Sequence, residues 1–496
     1  MTELLRQYAD EHLRKVDEFE AINTAHMNYF ARFTAERTED LKGERQVEAH
    51  NELMSDYPNV LKAWNHGVKH SEYDVVGAML EALNANNFMN SDRYSLLLLL
   101  DSAHLKMQNP ATSEHRIIAN RIIAWKIYWI GNAKYAHFLS RDIETGLNMP
   151  GLELFDDCIR EAKDNNDLIA QILCHIAKAF FAPTTASLAE DYILGLALSR
   201  RTQDRWYECR CLNLIVGYYY LTKRIKDSDG DAYLEQYLES AMAARIPYDI
   251  NSVHSYRATA AFDQGNVQEA IKSNKILLEY YSRQKRKSSM AFGEIRLGAC
   301  YLSLGDFSQA RKHIEIGLQI TKETQDDFYW GFMLLAKLEV VEGNPQVGIR
   351  HLQKLNYEEL GGVFQYECLS LYQIEIGNIV DARQSIMRVL SEGLIYVGTR
   401  PMIDLLPHVS FLMAHDNDYE GAVELLGLTD NHPSGATDWM EKWNTLTQLR
   451  ADLKTELGEK VYQQAWERGA QLDLDATVTR LLGWLKDETT SESKPI

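Results

Sequence analysis

Residues 302–317 read LSLGDFSQARKHIEIG, and the register of this stretch decides the fold. Gly305 lies between two runs whose apolar residues recur at three and four: Leu297, Tyr301 and Leu304 before it, Ala310, Ile314 and Leu318 after it. That is the period of an amphipathic helix on either side of a turn. A glycine at such a turn supplies a left-handed helix C-cap, and the following Asp or Asn starts the second helix as its N-cap. Working outward, the frame recurs without gaps in FDQGNVQEAIKSNKIL (262–277), VVEGNPQVGIRHLQKL (340–355), IEIGNIVDARQSIMRV (374–389) and AHDNDYEGAVELLGLT (414–429). The turn residues are Gly265, Gly305, Gly343, Gly377 and Asn417, spaced 40, 38, 34 and 40 apart. Five positions after each stands a small residue: Ala270, Ala310, Gly348, Ala382 and Ala422. Seven positions before each stands another: Ala258, Gly298, Ala336, Ser370 and Ser410. Upstream, IGNAKYAHFL repeats the frame with Ala124, Gly131 and Ala136. A further copy keeps only Ala177 and Ala189, and another over Cys209–Ala244 carries the insertion KDSDGD in its turn.

Small residues at those two slots let a pair of helices cross with their backbones close together. This is the logic of the tetratricopeptide repeat (TPR), a helical hairpin of roughly 34 residues. The consensus Trp and final Pro are mostly absent, and the copies are slightly long. Stacked hairpins form a superhelix with a concave face suited to partners. No alternating β-branched run requires a strand. The expected fold is therefore all-α: a TPR-like helical-hairpin superhelix (α-solenoid) over 86–430. A helical arm at 1–85 precedes it. A helical cap at 431–486 follows the turn-rich break TDNHPSGATDW, with Gly458 between two cap helices, and 487–496 reads as a disordered tail.

Composition narrows the function. The chain has 496 residues, enough for two to four domains of about 100–200 residues or one repeat array. Pro (10) and Gly (28) are sparse, which favours helix over low-complexity or collagen-like chains. Lys plus Arg total 52 against 71 Asp plus Glu; a net charge of −19 excludes a general nucleic-acid or anionic-membrane binder. Six scattered Cys without metal-type spacing fit a reduced, cytoplasmic protein. The first 19 residues, MTELLRQYADEHLRKVDEF, are charged throughout and are not a secretory signal.

The two ends carry a family resemblance. LLRQYADEHL (Leu4–Leu13), then HMNYF (His26–Phe30), then DYPNVLKAW (Asp56–Trp64) follow one another in order. ELGEKVYQQAWERG, with Leu457–Glu459, Ala465–Trp466 and Gly469, stands near the other end. Together these resemble the region that follows the ATPase and winged-helix modules in large bacterial signal-transduction ATPases with numerous domains, the STAND class. Tyr57 and Pro58 depart from that pattern. No GxxxxGK[ST] phosphate loop occurs. The resemblance implies a sensor region that restrains an ATPase module of the same polypeptide until an inducer binds. The N-terminal arm would be the relay. The alternative is a free-standing TPR scaffold bridging two proteins.

No catalytic set, cofactor site or metal site emerges, and the chain is not read as an enzyme. His66 and His70 share a helix face, but the sequence offers no third ligand. DSDGD at 227–231 fails the EF-hand spacing. Cys209 and Cys211 read as buried apolar residues, and RQKRK (283–287) as a solvated inter-repeat loop. Of the aromatic runs Trp206–Tyr207 and Tyr218–Tyr220, each is expected to be partly buried and partly exposed. Repeat phase supplies the candidate site. The second residue of each first helix holds Ser252, Phe292, Trp330, Phe364 and Asp404. Neighbouring groove slots hold Ile295, Met333, Lys337, Glu367 and Leu371, with Tyr256 and Arg296 at the edge. Phe292, Arg296, Trp330, Met333, Lys337, Phe364 and Glu367 thus form the candidate ligand-binding set, for an inducer that is a peptide, a protein or a small molecule. The competing reading packs the same aromatics between hairpins as core.

Overall fold

The computed structural model describes residues 19–89, 93–139, 152–181, 185–222, 229–324, 329–355, 363–396, 399–435 and 437–492. Among the described residues there are twenty-four α-helices and no strand, and the chain is an all-α helical-repeat solenoid of TPR-like hairpins. By its contacts it divides into two compact units, Met1–Tyr218 with Ser228–Ser252 and Tyr219–Asp227 with Val253–Ile496. No helix among the described residues is long and apolar enough to cross a membrane.

The second unit contains the five aligned repeats. Their first helices are Pro247–Asp263 (from Val253 on), Lys287–Ser303, Tyr329–Val341, Val363–Glu375 and Thr399–His415. Their second helices are Val267–Arg283, Phe307–Thr324, Pro345–Leu352, Ile379–Tyr396 and Tyr419–Asn431. All five turn residues have left-handed backbone, with φ of 79° at Gly265, 66° at Gly305, 83° at Gly343, 74° at Gly377 and 64° at Asn417. At Gly305 the Asp306 N–H closes on the Tyr301 carbonyl, satisfying a helix-end acceptor. Asp306, Asn266, Asn378 and Asp418 then cap the next helix by accepting from a backbone N–H three residues on. Asn344 makes no such bond; Pro345 behind it needs no donor partner in the first turn. The small residues are buried where the helices cross. A Cβ on Gly298 would be driven into Ile314 and lie 3.2 Å from the Ala310 carbonyl.

The first unit is also helical, from Phe19–Ala35 through Tyr57–Lys69, Tyr73–Asn87 and Ser113–Leu139 to Asp229–Ala244. Its centre is aromatic: Phe88 meets Trp129 at 4.8 Å and Trp206 at 5.2 Å between ring centroids. Trp206 and Tyr207 are both buried, contrary to the expectation that neighbours on a helix divide between core and solvent. Trp206 meets Phe88, Tyr207 reaches the Glu81 carboxylate, and Lys42 lies over both rings, so two sides of one helix are covered. Side chains at 218–220 lie outside the described ones. The upstream copy of the repeat is corrected too. Helix Ser113–Leu139 continues through Gly131, which makes no turn. Gly131 instead lies beneath Phe180, where a Cβ would come within 2.5 Å of the ring. Ala136, Ala189 and the start of KDSDGD lie outside the described side chains.

Of the end motifs, Leu4–Leu13 lies outside the described residues. In the third N-terminal motif Asn59 Nδ2 donates to Asp56 Oδ1 at 3.1 Å. Pro58 stands in the first turn of Tyr57–Lys69, where its missing N–H leaves no gap. At the other end Asn444–Gly469 breaks at Gly458 (φ 71°, ψ 156°), as its spacing predicts. The expected second cap helix is itself divided at 470–473, and Leu474–Glu492 runs past Lys486 into the stretch read as a tail.

Two glycines let this end approach the last repeat. A Cβ on Gly469 would be driven into the Glu424 carbonyl, and one on Gly427 into the Trp466 carbonyl. Both obstacles are backbone, which cannot swing aside. Gly469→Ala is therefore expected to lower stability by about 3 kcal/mol, the upper end of ordinary overpacking. A urea midpoint equal to wild type would show that the two helices separate freely.

Candidate functional site

The first helices of the repeats converge on a small cavity of about 70 Å³ within the second unit. Trp330, Met333, Lys337, Glu367, Cys368, Arg400, Asp404 and Trp439 line it, among others. Four of the seven candidate residues thus share one site. Phe292 stands beside it, 39% exposed, with its ring centroid 6.3 Å from that of Trp330. Arg296 uses its donors within the fold: its Nη atoms donate to Ser255 Oγ (3.0 Å), the Ser255 carbonyl (3.2 Å) and Thr259 Oγ1 (2.9 Å). The side chain of Phe364 lies outside the described ones. Ile295 and Leu371, placed at neighbouring groove slots, are fully buried in apolar clusters and are core.

The charges at the cavity are balanced, with Lys337, Glu367 and Arg400 buried and Asp404 partly so. Lys337 Nζ donates to Glu367 Oε1 at 2.8 Å and to Asp404 Oδ2 at 3.0 Å, and Arg400 Nε lies 3.4 Å from Asp404 Oδ1. Burial works against the Lys337 charge, but Asp404 and Glu367 outweigh it and hold its pKa above the ordinary value. Burial also favours protonation of both carboxyls. For Asp404 the cations Lys337 and Arg400 prevail and its pKa falls. For Glu367 burial prevails and its pKa rises, so Glu367 takes up a proton first.

A segment from the C-terminal end closes the site. Pro433 and Ser434 lie against the Gly265 turn, and Asp438 against the Gly305 turn, where Lys442 Nζ donates to the Gly305 carbonyl at 2.5 Å. Trp439 covers Lys337, whose Nζ is 4.1 Å from the ring centroid. Trp443 Nε1 and Thr445 Oγ1 both donate to Glu375 Oε2, at 3.0 and 2.8 Å. Opposite charges at nearby slots of successive repeats would have suggested Lys337 with Glu367. Nothing in the repeat phase points to Trp439, because it belongs to no repeat.

His408 is buried behind the cluster. Ser370 Oγ donates to the Glu367 carbonyl at 2.8 Å, so the 2.8 Å contact to His408 Nδ1 makes Nδ1 its donor. Nε2 is buried without a hydrogen-bond partner among the described residues. Burial first, then the Lys337 charge, lowers its pKa to about 3, with Asp404 opposing. An unfolded His titrates near 6.5. Between about 6.5 and 3 the unfolded chain binds a proton that the folded chain refuses, so stability falls as pH drops through that window. By pH 5 this amounts to about 2 kcal/mol, at about 1.4 kcal/mol per unit. Asp430 acts oppositely: burial raises its pKa to about 6 despite Arg450, so folding gains as pH falls towards its unfolded value. It is present in both proteins when wild type is compared with His408→Gln. The stability difference between those two should therefore change by about 1.4 kcal/mol per unit below pH 6.5. A difference independent of pH would mean that His408 is protonated in place.

Elsewhere, larger clefts of about 550 Å³ beside His104 and Arg116, and about 660 Å³ over Ser308–Ile320, are more open and have no such buried charge cluster. RQKRK forms an exposed turn, with Arg283 and Lys287 paired to Glu279 and Glu323. Cys209 and Cys211 are fully buried, and burial pushes their thiols up to about 11 and about 12. Cys158 and Cys174, apart in sequence, come within 2.9 Å as buried thiols. At His66 and His70 the fold supplies a third group that the sequence did not reveal, Glu20 from the Phe19–Ala35 helix.

No family model matches this chain, and no curated protein does. Among solved structures it is similar to a STAND protein with a tetratricopeptide repeat sensor from Pyrococcus horikoshii, at 16% identity and a TM-score of 0.36. That match covers 79% of this chain and 57% of the other, so this chain spans little more than half that protein's length. It is also similar to the apo form of RapI, at 13% identity and a TM-score of 0.25, over 61% of this chain and 98% of that one.

Proposed function

We propose that this chain is the sensing part of a STAND-type signalling ATPase and binds its inducer at the Trp330–Met333–Lys337–Glu367 site. The observation that supports a ligand site there is a cluster of four paired charges, three of them buried and Asp404 nearly so, around a cavity on the first helices, closed by Trp439. An apolar core at this place would fold as well or better, because desolvating paired charges offsets most of their attraction. Charges already stripped of water, beside half-buried Trp330 and Met333, are the groups that orient a ligand. The space of about 70 Å³ holds roughly two waters. A drug-sized ligand or a peptide side chain with its backbone needs about 300 Å³ or more. Inducer entry therefore requires Trp439 to leave. That creates two arrangements, strap seated and strap released, and a ligand shifts their balance only by preferring one. In the resting arrangement the sensor restrains the ATPase module; with inducer bound it releases it.

Reading the gene in frame upstream of Met1 tests the assignment. A phosphate-loop ATPase followed by a winged helix is expected. A stop codon and ribosome-binding site there would leave a free-standing scaffold with two protein partners. At the site, Trp330→Ala should weaken inducer binding with helicity near wild type. Global unfolding of that variant would instead identify Trp330 as core.

A further inference from the structure

We propose that Glu20, His66 and His70 form a zinc-binding site that ties the start of the Phe19–Ala35 helix to the end of the Tyr57–Lys69 helix. It is independent of the ligand site in the other unit and of the function assigned to it.

His66 lies in the last turn of its helix and His70 caps it, one turn further on. Their rings stand side by side, with centroids 4.4 Å apart and planes at 37°. The neighbouring helix brings the Glu20 carboxylate to the same point, and one ligand atom from each of the three lies within 4.8 Å of the others. Zinc bonds of about 2.0–2.2 Å to nitrogen and oxygen place tetrahedral ligands roughly 3.3 Å apart. Closing from 4.8 Å takes only side-chain rotation, since Glu20 and His70 are exposed and His66 half-buried. None of the three side chains has another hydrogen-bond or ion-pair partner among the described residues that would have to be broken. Two imidazoles and one carboxylate are a donor set suited to zinc, and no thiolate is near to favour softer ions. Three protein ligands leave a fourth position for water, open to solvent. Bridging two helices, the ion would stabilise their packing by binding the folded chain and not the unfolded one.

The full chain is stripped with a chelator and titrated with Zn²⁺ against a chromogenic competitor. Because the sequence contains 15 His, the readout is the difference between proteins. Wild type should hold one tight equivalent and show a higher thermal midpoint with zinc. Losing a partner of a ligand weakens metal binding about 10–100-fold, so losing a ligand itself, in His66→Gln or His70→Gln, should weaken it more than about 100-fold. Glu20→Gln should weaken it at least about 10-fold. Co²⁺ should give the visible bands of a four- or five-coordinate ion in wild type only. All three positions are at the surface, so the variants should match wild type in circular dichroism. A tight equivalent that survives His66→Gln/His70→Gln, or the lack of one in wild type, overturns the proposal.

Discussion

Lys337→Met is expected to lower the unfolding free energy by about 3–5 kcal/mol, as read from denaturant melts. The loss comes from what stays behind. Glu367 is buried and Asp404 largely so, 2.8 and 3.0 Å from Nζ, and without the cation two carboxylates face each other with little water and only Arg400 nearby. Methionine fills much of the same volume, so cavity formation contributes little. Glu367→Gln in the same chain should recover at least half of the loss, because Arg400 and Asp404 then balance. The single variant should also suffer less in acid. Glu367, whose pKa already lies above the usual carboxyl range, gains a proton more readily when Lys337 is gone. A loss below about 1 kcal/mol would indicate carboxylates that remain hydrated, and would remove the basis for reading this cluster as a built binding site.

Trp439→Ala is expected to be comparably severe, about 3–5 kcal/mol for a fully buried large aromatic. The ring is 1% exposed, and its Nε1 has no hydrogen-bond partner among the described residues, so the loss is packing and the cation–π contact with Lys337. That contact alone is worth about 0.5–2 kcal/mol. The distinguishing readout is local. Limited proteolysis should cut the variant between 433 and 443 while the repeat hairpins stay protected. If the strap stays as resistant as in wild type, Trp439 is not what seats it, and the two-arrangement account of sensing fails. Lys337 and Trp439 touch, so the double variant should lose less than the sum of the singles.

The repeat was legible because its determinants are local. A left-handed turn needs Gly or Asn, a cap needs a short polar side chain three residues before its N–H, and a close helix crossing needs a small residue. Each requirement is met within about twenty residues of Gly305. The same reading went astray at Gly131, where the glycine serves a crossing under Phe180 and no turn. Small size meets two different needs, and the one-dimensional pattern does not separate them. Likewise the period of one helix sorts its faces against a single neighbour. Arg205–Thr222 is covered from two directions, so Trp206 and Tyr207 are both buried.

The candidate site was half legible. Slot counting brought Trp330, Met333, Lys337 and Glu367 to one face, since residues at matching positions of stacked hairpins must lie near one another. It could not tell that Lys337 and Glu367 pair with each other at the cavity, nor that Arg296 is held by Ser255 and Thr259. Arg400, Trp439 and Glu20 were beyond it. Trp439 reaches Lys337 across about a hundred residues, and Glu20 reaches His66 across nearly fifty. The sequence by itself determined the helices, the turns between them and the pairing within each hairpin, because hydrogen bonds and sterics over a few residues govern those. Only the tertiary structure decided which charges are buried together, which segment closes the cavity and which carboxylate joins the two histidines. Those contacts depend on the path of the chain between distant segments, and no local rule encodes that path.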